Sequence, residues 1–271
     1  PFFMYLAFNA PHDPRQAPQE YLDMYDLDQI SVPKSFLPMY PFKDSIGNGQ
    51  DLRDEALAPF PRTEFAVKTH LKEYYALITH LDEQIGQILK ALEASGKMDN
   101  TYIVFTADHG LAIGKHGLLG KQTQFDHSIR APFMIVGPDI PKGKKVDADI
   151  YLQDVMPTSL ELAGIEKPDY VFFNSLLNLI DGSQTESHYD AIYNGYVDYQ
   201  RMIRKDGYKL IAYPKIKKLL LFDMNSDPEE MNDLAELPEQ KERVQHMLTE
   251  LIALQNQLND PLDLTEVYNH N

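Results

Sequence analysis

The sequence predicts an α/β fold, a sheet with flanking helices, followed by a small antiparallel α+β subdomain. A long amphipathic pattern over residues 63–95 is followed almost at once by a β-branched run at 102–106, the helix-to-strand order of an α/β sheet. Beyond residue 190 the pattern changes to short, closely spaced strands with turn signals and a final helix. We therefore expect the main α/β part over 1–190 and the subdomain over 191–271.

The composition limits the classes of function. A chain of 271 residues can bury one large core. With 25 basic and 41 acidic residues the net charge is −16, which argues against a nucleic-acid or anionic-membrane surface. A small anionic substrate stays open, because local groups hold it. No apolar stretch reaches the roughly 18 residues of a membrane span. The absence of cysteine excludes a disulfide, a thiolate metal site and a cysteine nucleophile in this chain.

The first segment is a continuous apolar run over residues 2–8, which predicts a buried strand leading into a loop with Pro11, His12, Asp13 and Pro14. The run has no initiator methionine and no signal-peptide n-region, so we expect a fragment whose targeting segment lies upstream. Residues from there to about 62 are rich in proline and lack a period, which predicts a long ordered loop over the surface.

The clearest element is the helix over residues 63–95. Gly96 follows it and is well suited to adopt the left-handed conformation that ends a helix. Residues 131–136 predict a further strand. Asp154 can cap a helix that has Pro157 in its first turn and Gly164 just past its end. The apolar stripe of the long helix comprises Leu71, Tyr74, Tyr75, Ile78, Leu81, Ile85, Ile88, Leu89 and Leu92.

The C-terminal part predicts four strands, over residues 192–197, 201–204, 208–213 and 219–222. Asp206 and Gly207 between the second and third of these strands form a hairpin turn signal. A final helix begins at about residue 238 and carries apolar side chains along one side. This arrangement indicates a small antiparallel sheet covered by a helix.

An acid and an imidazole, Asp108 and His109, stand where the 102–106 strand ends, and Gly110 allows the chain to bend there. Polar groups at the carboxyl end of a buried strand are where open α/β sheets bind ligands. A carboxylate and an imidazole can share one divalent cation. The pair alone fits equally well with a capped turn that carries an incidental histidine.

Three further polar residues are candidates for binding an anion or for catalysis. His12 could bind an anionic group or act as an acid, although a surface-loop histidine is the simpler interpretation. His116 and Lys121 lie among glycines that permit a close backbone approach to an anion, although such a lysine is usually solvated. For Asp126 and Arg130 we favour a structural interpretation, a turn held by a salt bridge between them.

Taken in order, these motifs resemble the type I sulfatase family of the alkaline-phosphatase-like superfamily. The resemblance covers nearly the whole chain. It rests on Ala10-Pro11-His12, the helix ending Tyr75-Ala-Leu-Ile-Thr-His-Leu-Asp82, then Phe105-Thr-Ala-Asp108-His109-Gly110, Gly114-Lys-His116-Gly with Lys121, Ser128-Ile-Arg130-Ala-Pro132, and Leu221-Phe-Asp223 through Asp227-Pro228-Glu229.

The resemblance implies a partial alkaline-phosphatase-like sheet and an enzyme that hydrolyses a sulfate ester of a small molecule or glycan. Such enzymes use a formylglycine nucleophile and a divalent cation, usually calcium. It further implies that Asp108 and His109 are metal ligands, that Lys121 bridges nucleophile and sulfate, and that His12 lies near the leaving oxygen. His116 is implied as a substrate contact, and a periplasmic or secreted location is plausible for the family.

The chain departs from the family pattern in its nucleophile. Its Ser-x-Pro at Ser31-Val32-Pro33 lacks the arginine of the family's Cys/Ser-x-Pro-Ser-Arg motif, as does Ser226-Asp227-Pro228, and the first metal-binding aspartate pair is missing. We therefore expect the 271 residues alone to lack turnover and to self-associate through uncovered sheet edges. Two alternatives are a phosphomonoester or phosphonate hydrolase of the same superfamily and a non-catalytic glycan-binding or assembly fragment.

Overall fold

The computed structural model describes residues 1–265 and residue 267. It confirms the predicted α/β class, with two antiparallel sheets and flanking helices. The regular elements in chain order are α1 (Gln19–Leu22), α2 (Glu64–Ala94), β1 (Ile103–Thr106), α3 (Asp126–Ile129), β2 (Phe133–Val136), α4 (Val155–Leu162), α5 (Leu177–Asp181), β3 (Ile192–Tyr196), β4 (Gln200–Lys205), β5 (Tyr208–Tyr213), β6 (Lys218–Asp223) and α6 (Lys241–Gln257).

Helix α2 begins and ends where local chemistry predicts. The side chain of Thr63 accepts a hydrogen bond from Ala66 N and caps the first turn. At the other end Gly96 has φ +70°, a conformation that costs a glycine little. One side of the helix buries Val67 and Leu71 against Ile30 and the loop residue Ile113, so α2 supports the glycine-rich loop that precedes Lys121.

Strands β1 and β2 pair antiparallel, with Ile103 opposite Val136. Two details of the prediction are wrong. Residues 2–8 form no strand, and the β1 side chains are half-buried or exposed where we expected burial. Residues 2–8 have no partner strand in the described chain, and a strand forms only where a partner shares its backbone hydrogen bonds. Strand β1 has its partner β2, but its side chains are not fully covered.

Strands β3 to β6 form the second sheet in chain order, a fully antiparallel meander. Asp206 and Gly207 both have positive φ, +50° and +77°, as the predicted two-residue turn between β4 and β5 requires. The register pairs Ile203 with Leu210 and Leu210 with Leu221.

Side chains alternate between two cores on the opposite faces of this sheet. Ile203, Leu210 and Leu221 pack against α6. Met202 and Ile211 face the other way and join a core with residues of the first half of the chain, Tyr40, Ile46, Leu118 and Phe125. The sheet is therefore buried on both faces, and one face supports the loop that leads to Lys121.

The proposed boundary near residue 190 stays a prediction, and residues 266 and 268–271 of the predicted subdomain lie outside the described part. The core shared across the boundary means that the two parts pack closely. Within the described residues no helix is both long and apolar enough to cross a membrane.

Candidate active site

The side chains of His12 and Lys121 meet, although 109 residues separate them in the chain. Lys121 Nζ lies 2.8 Å from His12 Nε2. Lys121 follows a tight loop in which Gly114 and Gly117 have φ +98° and +74°, and Gly117 packs so closely on the backbone of residues 37–40 that a Cβ would clash. These glycines shape the loop that presents Lys121, and the predicted backbone approach to an anion stays a prediction.

Asp13 orients the His12 ring. His12 Nδ1 lies 2.9 Å from the Asp13 carbonyl oxygen and 3.1 Å from Asp13 Oδ1. Both oxygens are acceptors, so Nδ1 carries the proton and Nε2 is the nitrogen that faces Lys121.

Asp54 holds the lysine. Its Oδ2 lies 3.3 Å from Lys121 Nζ and accepts a hydrogen bond of 2.7 Å from Gln122 Nε2. The Asp54 residue is only 3% exposed. Burial alone would raise the pKa of Asp54, but the hydrogen bonds from Gln122 and Arg53 and the charge of Lys121 outweigh it and lower that pKa. Asp54 is thus an anion at neutral pH that fixes the ammonium group.

Glu55 holds the backbone that leads into Lys121. Leu119 N donates to both carboxylate oxygens, at 3.1 Å to Oε1 and 3.2 Å to Oε2. Gly120 N donates to Oε1 at 2.9 Å. Arg62 Nη2 lies 2.5 Å from Glu55 Oε2, and both side chains are 0% exposed. The buried pair therefore serves as an internal clamp on the lysine loop.

Asp108 and His109 stand just beyond β1, with His109 Nε2 3.7 Å from Asp108 Oδ1. His109 Nδ1 donates to Gly110 O at 2.9 Å, which leaves the Nε2 lone pair free. The Asp108 side chain is 89% exposed, and no other described group pairs with it. A carboxylate oxygen and a free imidazole nitrogen at this separation fit two ligands of one divalent cation.

The loop that carries these two residues packs on α3. Gly110 N donates to Ser128 O at 2.7 Å, and a Cβ on Gly110 would lie 2.1 Å from His127 O. Only glycine permits this approach. Helix α3 and the Lys121 loop therefore border the two groups of site residues, although no hydrogen bond or ion pair within the described chain links Asp108 or His109 to His12 or Lys121.

A buried ionic network fixes α3 to the C-terminal sheet. The fully buried Lys209 of β5 bonds Asp126 and, at 2.7 Å, Glu230 Oε1. Glu230 Oε2 in turn accepts a hydrogen bond from Asp126 N at 2.6 Å. Asp126 also lies 4.0 Å from Arg130 and 3.4 Å from Arg204, so the predicted salt-bridged turn is present within a larger network.

His116 lies in the protein interior and is 6% exposed. Its Nε2 donates to Glu230 O at 3.0 Å, and its ring stacks on Phe125 with centroids 4.0 Å apart. Burial lowers the pKa of His116, so the ring is neutral at pH 7. The predicted substrate contact stays a prediction, and it would require the ring to leave this packing.

The donor atoms of His12, Asp13 and Asp54 lie within 4.8 Å of one another, close enough to share a cation. Two protein cations already occupy this region. Lys121 Nζ contacts His12 and Asp54, and Arg53 Nη2 lies 2.9 Å from His12 Nε2 and 3.0 Å from Asp54 Oδ1. The carboxylates of this cluster are therefore already paired with cations of the protein, which disfavours a metal ion there.

Sequence reasoning missed Asp13 and the run Arg53-Asp54-Glu55, three consecutive residues that each contact the His12–Lys121 pair or its loop. The run lies in the proline-rich segment predicted as a surface loop. Its one sequence signal is a cluster of charges, including Arg62, in a segment without a helical period. Such clusters are usually solvated, so the pattern alone could not have identified the clamp.

Comparison with models of known protein families gives two matches, and the descriptions of both name sulfate-releasing enzymes. The model described as Sulfatase matches residues 1–165. The model described as N-sulphoglucosamine sulphohydrolase, C-terminal, matches residues 114–257. Together they cover both the Asp108-His109 segment and the C-terminal sheet.

Curated relatives agree with these matches. The chain is 32% identical over 265 residues to an arylsulfatase of Clostridium perfringens, covering 93% of this chain and 53% of that protein. It is 31% identical over 238 residues to a sulfatase of Formosa agariphila, covering 85% of this chain and 45% of the relative. The chain thus spans about half the length of the curated relatives it matches.

Two solved structures share the fold with a TM-score of 0.77. One, described in complex with its substrate D-glucosamine-2-N,6-O-disulfate, is 22% identical and covers 93% of this chain and 64% of its own. The other, a phosphonate monoester hydrolase from Silicibacter pomeroyi, is 24% identical and covers 91% of this chain and 54% of its own. With the Sulfatase model covering more than half of the 271 residues, the chain belongs to the sulfatase family, within the alkaline-phosphatase-like superfamily.

Proposed function

We propose that this chain supplies one side of the active site of a sulfatase that hydrolyses a sulfate ester, on a carbohydrate or a similar small molecule. The observation that carries the proposal is the contact of 2.8 Å between His12 Nε2 and Lys121 Nζ, with Asp13 and Asp54 orienting the two side chains. A fixed ammonium group beside an oriented imidazole suits a transferring sulfuryl group, whose oxygens need a cation and whose leaving oxygen needs a proton.

Lys121 stabilises the sulfate oxygens. Sulfuryl transfer spreads negative charge over these oxygens in the transition state. A fixed cation beside them therefore stabilises the transition state more than it stabilises the ground state. Asp54 and the Glu55 clamp hold the lysine before substrate arrives, so little reorganisation is needed at the moment of reaction.

His12 donates a proton to the leaving oxygen. An alkoxide is a poor leaving group, and protonation by a positioned imidazole lowers the barrier to its departure. Since the proton on Nδ1 is held by Asp13, the transferable proton would be a second one, carried on Nε2 in place of the hydrogen bond from Lys121.

Asp108 and His109 contribute half of a cation site, for which calcium is the family's usual ion. When bound, the cation would neutralise sulfate charge and orient the ester. The chain's own contribution is a carboxylate and an Nε2 lone pair fixed by the hydrogen bond between His109 and Gly110. Oxygen-rich calcium sites take six to eight ligands, so further ligands must come from elsewhere.

The formylglycine nucleophile would also come from residues outside these 271, because the chain has neither a cysteine nor the Ser-x-Pro-Ser-Arg motif. The chain alone is therefore expected to lack turnover. The test compares it with the protein encoded by the complete reading frame that contains it, both assayed on an aryl sulfate with calcium. Turnover by the 271 residues well above buffer would contradict this part of the proposal.

A sulfated sugar is the substrate class we favour. The C-terminal family model takes its description from a sulphoglucosamine hydrolase, and one structural neighbour was solved with a disulfated glucosamine. The specific sugar and linkage are open to a screen of mono- and disulfated saccharides, in which release of inorganic sulfate identifies the substrate.

A second candidate is a phosphonate or phosphomonoester hydrolase, because a phosphonate monoester hydrolase has the same TM-score as the sulfatase neighbour. Parallel assays on aryl sulfate and aryl phosphonate, with metal analysis of the purified protein, separate the two. A preference for phosphonate with bound zinc or manganese would favour the second candidate. A non-catalytic glycan-binding role predicts binding that survives Asp108→Ala and His12→Ala.

Self-association of the isolated chain is a further expectation. Phe2, Phe3 and Tyr5 are exposed, as are side chains of β1 and β2, and large exposed apolar patches bind other protein surfaces. Light scattering of the purified 271 residues should show species larger than a monomer, and a monodisperse monomer would contradict the expectation.

A further inference from the structure

Arg53 lies beside the proposed acid His12, and the reaction as described does not use it. Its guanidinium is held in one orientation by Asp54 Oδ1, which lies 3.3 Å from Nε and 3.0 Å from Nη2. Asp13 Oδ1 lies 3.8 Å from Nη2. The side chain is nevertheless 67% exposed, so its remaining donors face solvent at the side of the site.

Two cations approach His12 Nε2, which can accept a hydrogen bond from only one of them. Lys121 Nζ lies 2.8 Å and Arg53 Nη2 2.9 Å from this nitrogen. A neutral imidazole has one lone pair at Nε2 and can accept only one of these hydrogen bonds. When His12 carries its proton to the leaving oxygen it accepts neither. Asp54 still pairs with both cations, but the hydrogen bond that His12 cannot accept is open to a ligand, and an anionic oxygen would supply the acceptor.

We propose that Arg53 is a specificity-determining residue, which binds an anionic substituent, a carboxylate or second sulfate, on the alcohol that leaves. This inference rests on the proposed sulfatase function and names its substrate class. Lys121 is already assigned to the transferred sulfate. Arg53 Nη2 lies 2.9 Å from the His12 nitrogen that would protonate the leaving oxygen. Its side chain is 67% exposed against 17% for Lys121, so its outer donors are available to the part of the substrate that extends into solvent.

The chemistry of the side chain agrees with this role. A guanidinium offers planar paired donors that match a carboxylate or sulfate and keeps its charge at any working pH. Asp54 accepts from Nε and one face of Nη2, which leaves Nη1 and the outer edge for a ligand. Because Asp54 fixes the orientation, little side-chain entropy is lost on binding.

The test uses two esters that differ by one charge, phenyl sulfate and meta-carboxyphenyl sulfate. The protein encoded by the complete reading frame is compared with Arg53→Gln, Arg53→Lys and a control, Arg243→Gln, which removes an arginine on α6 that stacks on Tyr208. Both kcat/KM and the affinity measured by calorimetry are determined for each ester.

Arg53→Gln should reduce the preference for the carboxylated ester by about tenfold, the value of one charge-assisted hydrogen bond. Arg53→Lys should keep part of the preference, and Arg243→Gln should keep all of it. An equal loss on both esters would mean that Arg53 only supports Asp54 and Lys121, and would overturn the inference. Absence of turnover with an Arg53-dependent binding preference would instead contradict the proposed function alone.

Discussion

The clamp formed by Glu55 makes a prediction that can be followed at single amides. Its carboxylate accepts from Leu119 N and Gly120 N and pairs with Arg62. Glu55→Ala removes all of these interactions at once while leaving Lys121 itself unchanged. The loop that presents Lys121 should then open far more often, because its two amides no longer have an acceptor.

The size of the effect follows from burial. Both members of the Glu55–Arg62 pair are 0% exposed, and removal of one partner of a buried pair costs about 3–5 kcal/mol. A loss of about 3 kcal/mol in the free energy of opening corresponds to a more than hundredfold increase in the exchange rate of an amide. Removal of both charges, in Glu55→Gln with Arg62→Met, should recover part of the loss, because no unpaired charge remains buried.

Hydrogen exchange resolved at single residues is the appropriate assay. The amides of Leu119 and Gly120 should exchange faster in Glu55→Ala, while amides in the core of β5, such as Ile211, report the change in global stability. The exposed Glu64→Ala serves as the matched control. If Leu119 and Gly120 accelerate no more than Ile211, the clamp has no local effect and the reasoning is refuted.

Three further predictions concern other parts of the site. Lys209→Met leaves the carboxylates of Asp126 and Glu230 without their buried cation and should lower the free energy of unfolding in urea by about 3–5 kcal/mol; an unchanged midpoint would contradict the network. Burial lowers the pKa of His116, so the unfolded state binds its proton more readily and stability should fall as pH decreases below about 6.5. His116→Phe should flatten that decline in urea titrations from pH 7 to 5. Asp108→Ala should weaken calcium binding by at least about tenfold in calorimetry, and undiminished affinity would exclude it as a ligand.

The elements that could be predicted from the sequence are those whose signals are local. The bounds of α2 agree within a residue because Thr63 and Gly96 mark its ends. The β4–β5 hairpin agrees because Asp206 and Gly207 accept positive φ. Burial of residues 2–8 could not be predicted in the same way, because an apolar run indicates a need for a partner and not where that partner is.

The candidate site divides along the same line. His12, Lys121, Asp108 and His109 could be named from motifs in family order, but their supports could not. Glu55 acts on an amide 64 residues away, a contact that no local pattern encodes. The sequence named the side chains that we propose to carry the chemistry, whereas the residues that hold them became visible only through packing.

The central claim is that Lys121 and the groups around it stabilise a transferring sulfuryl group. The most direct measurement is the hydrolysis of an aryl sulfate, with calcium present, by the protein encoded by the complete reading frame and by its Lys121→Ala variant. We expect turnover by the parent protein and a loss of about a hundredfold or more in kcat in the variant. Equal rates in the two proteins, or turnover of an aryl phosphonate but not of the sulfate, would contradict the account.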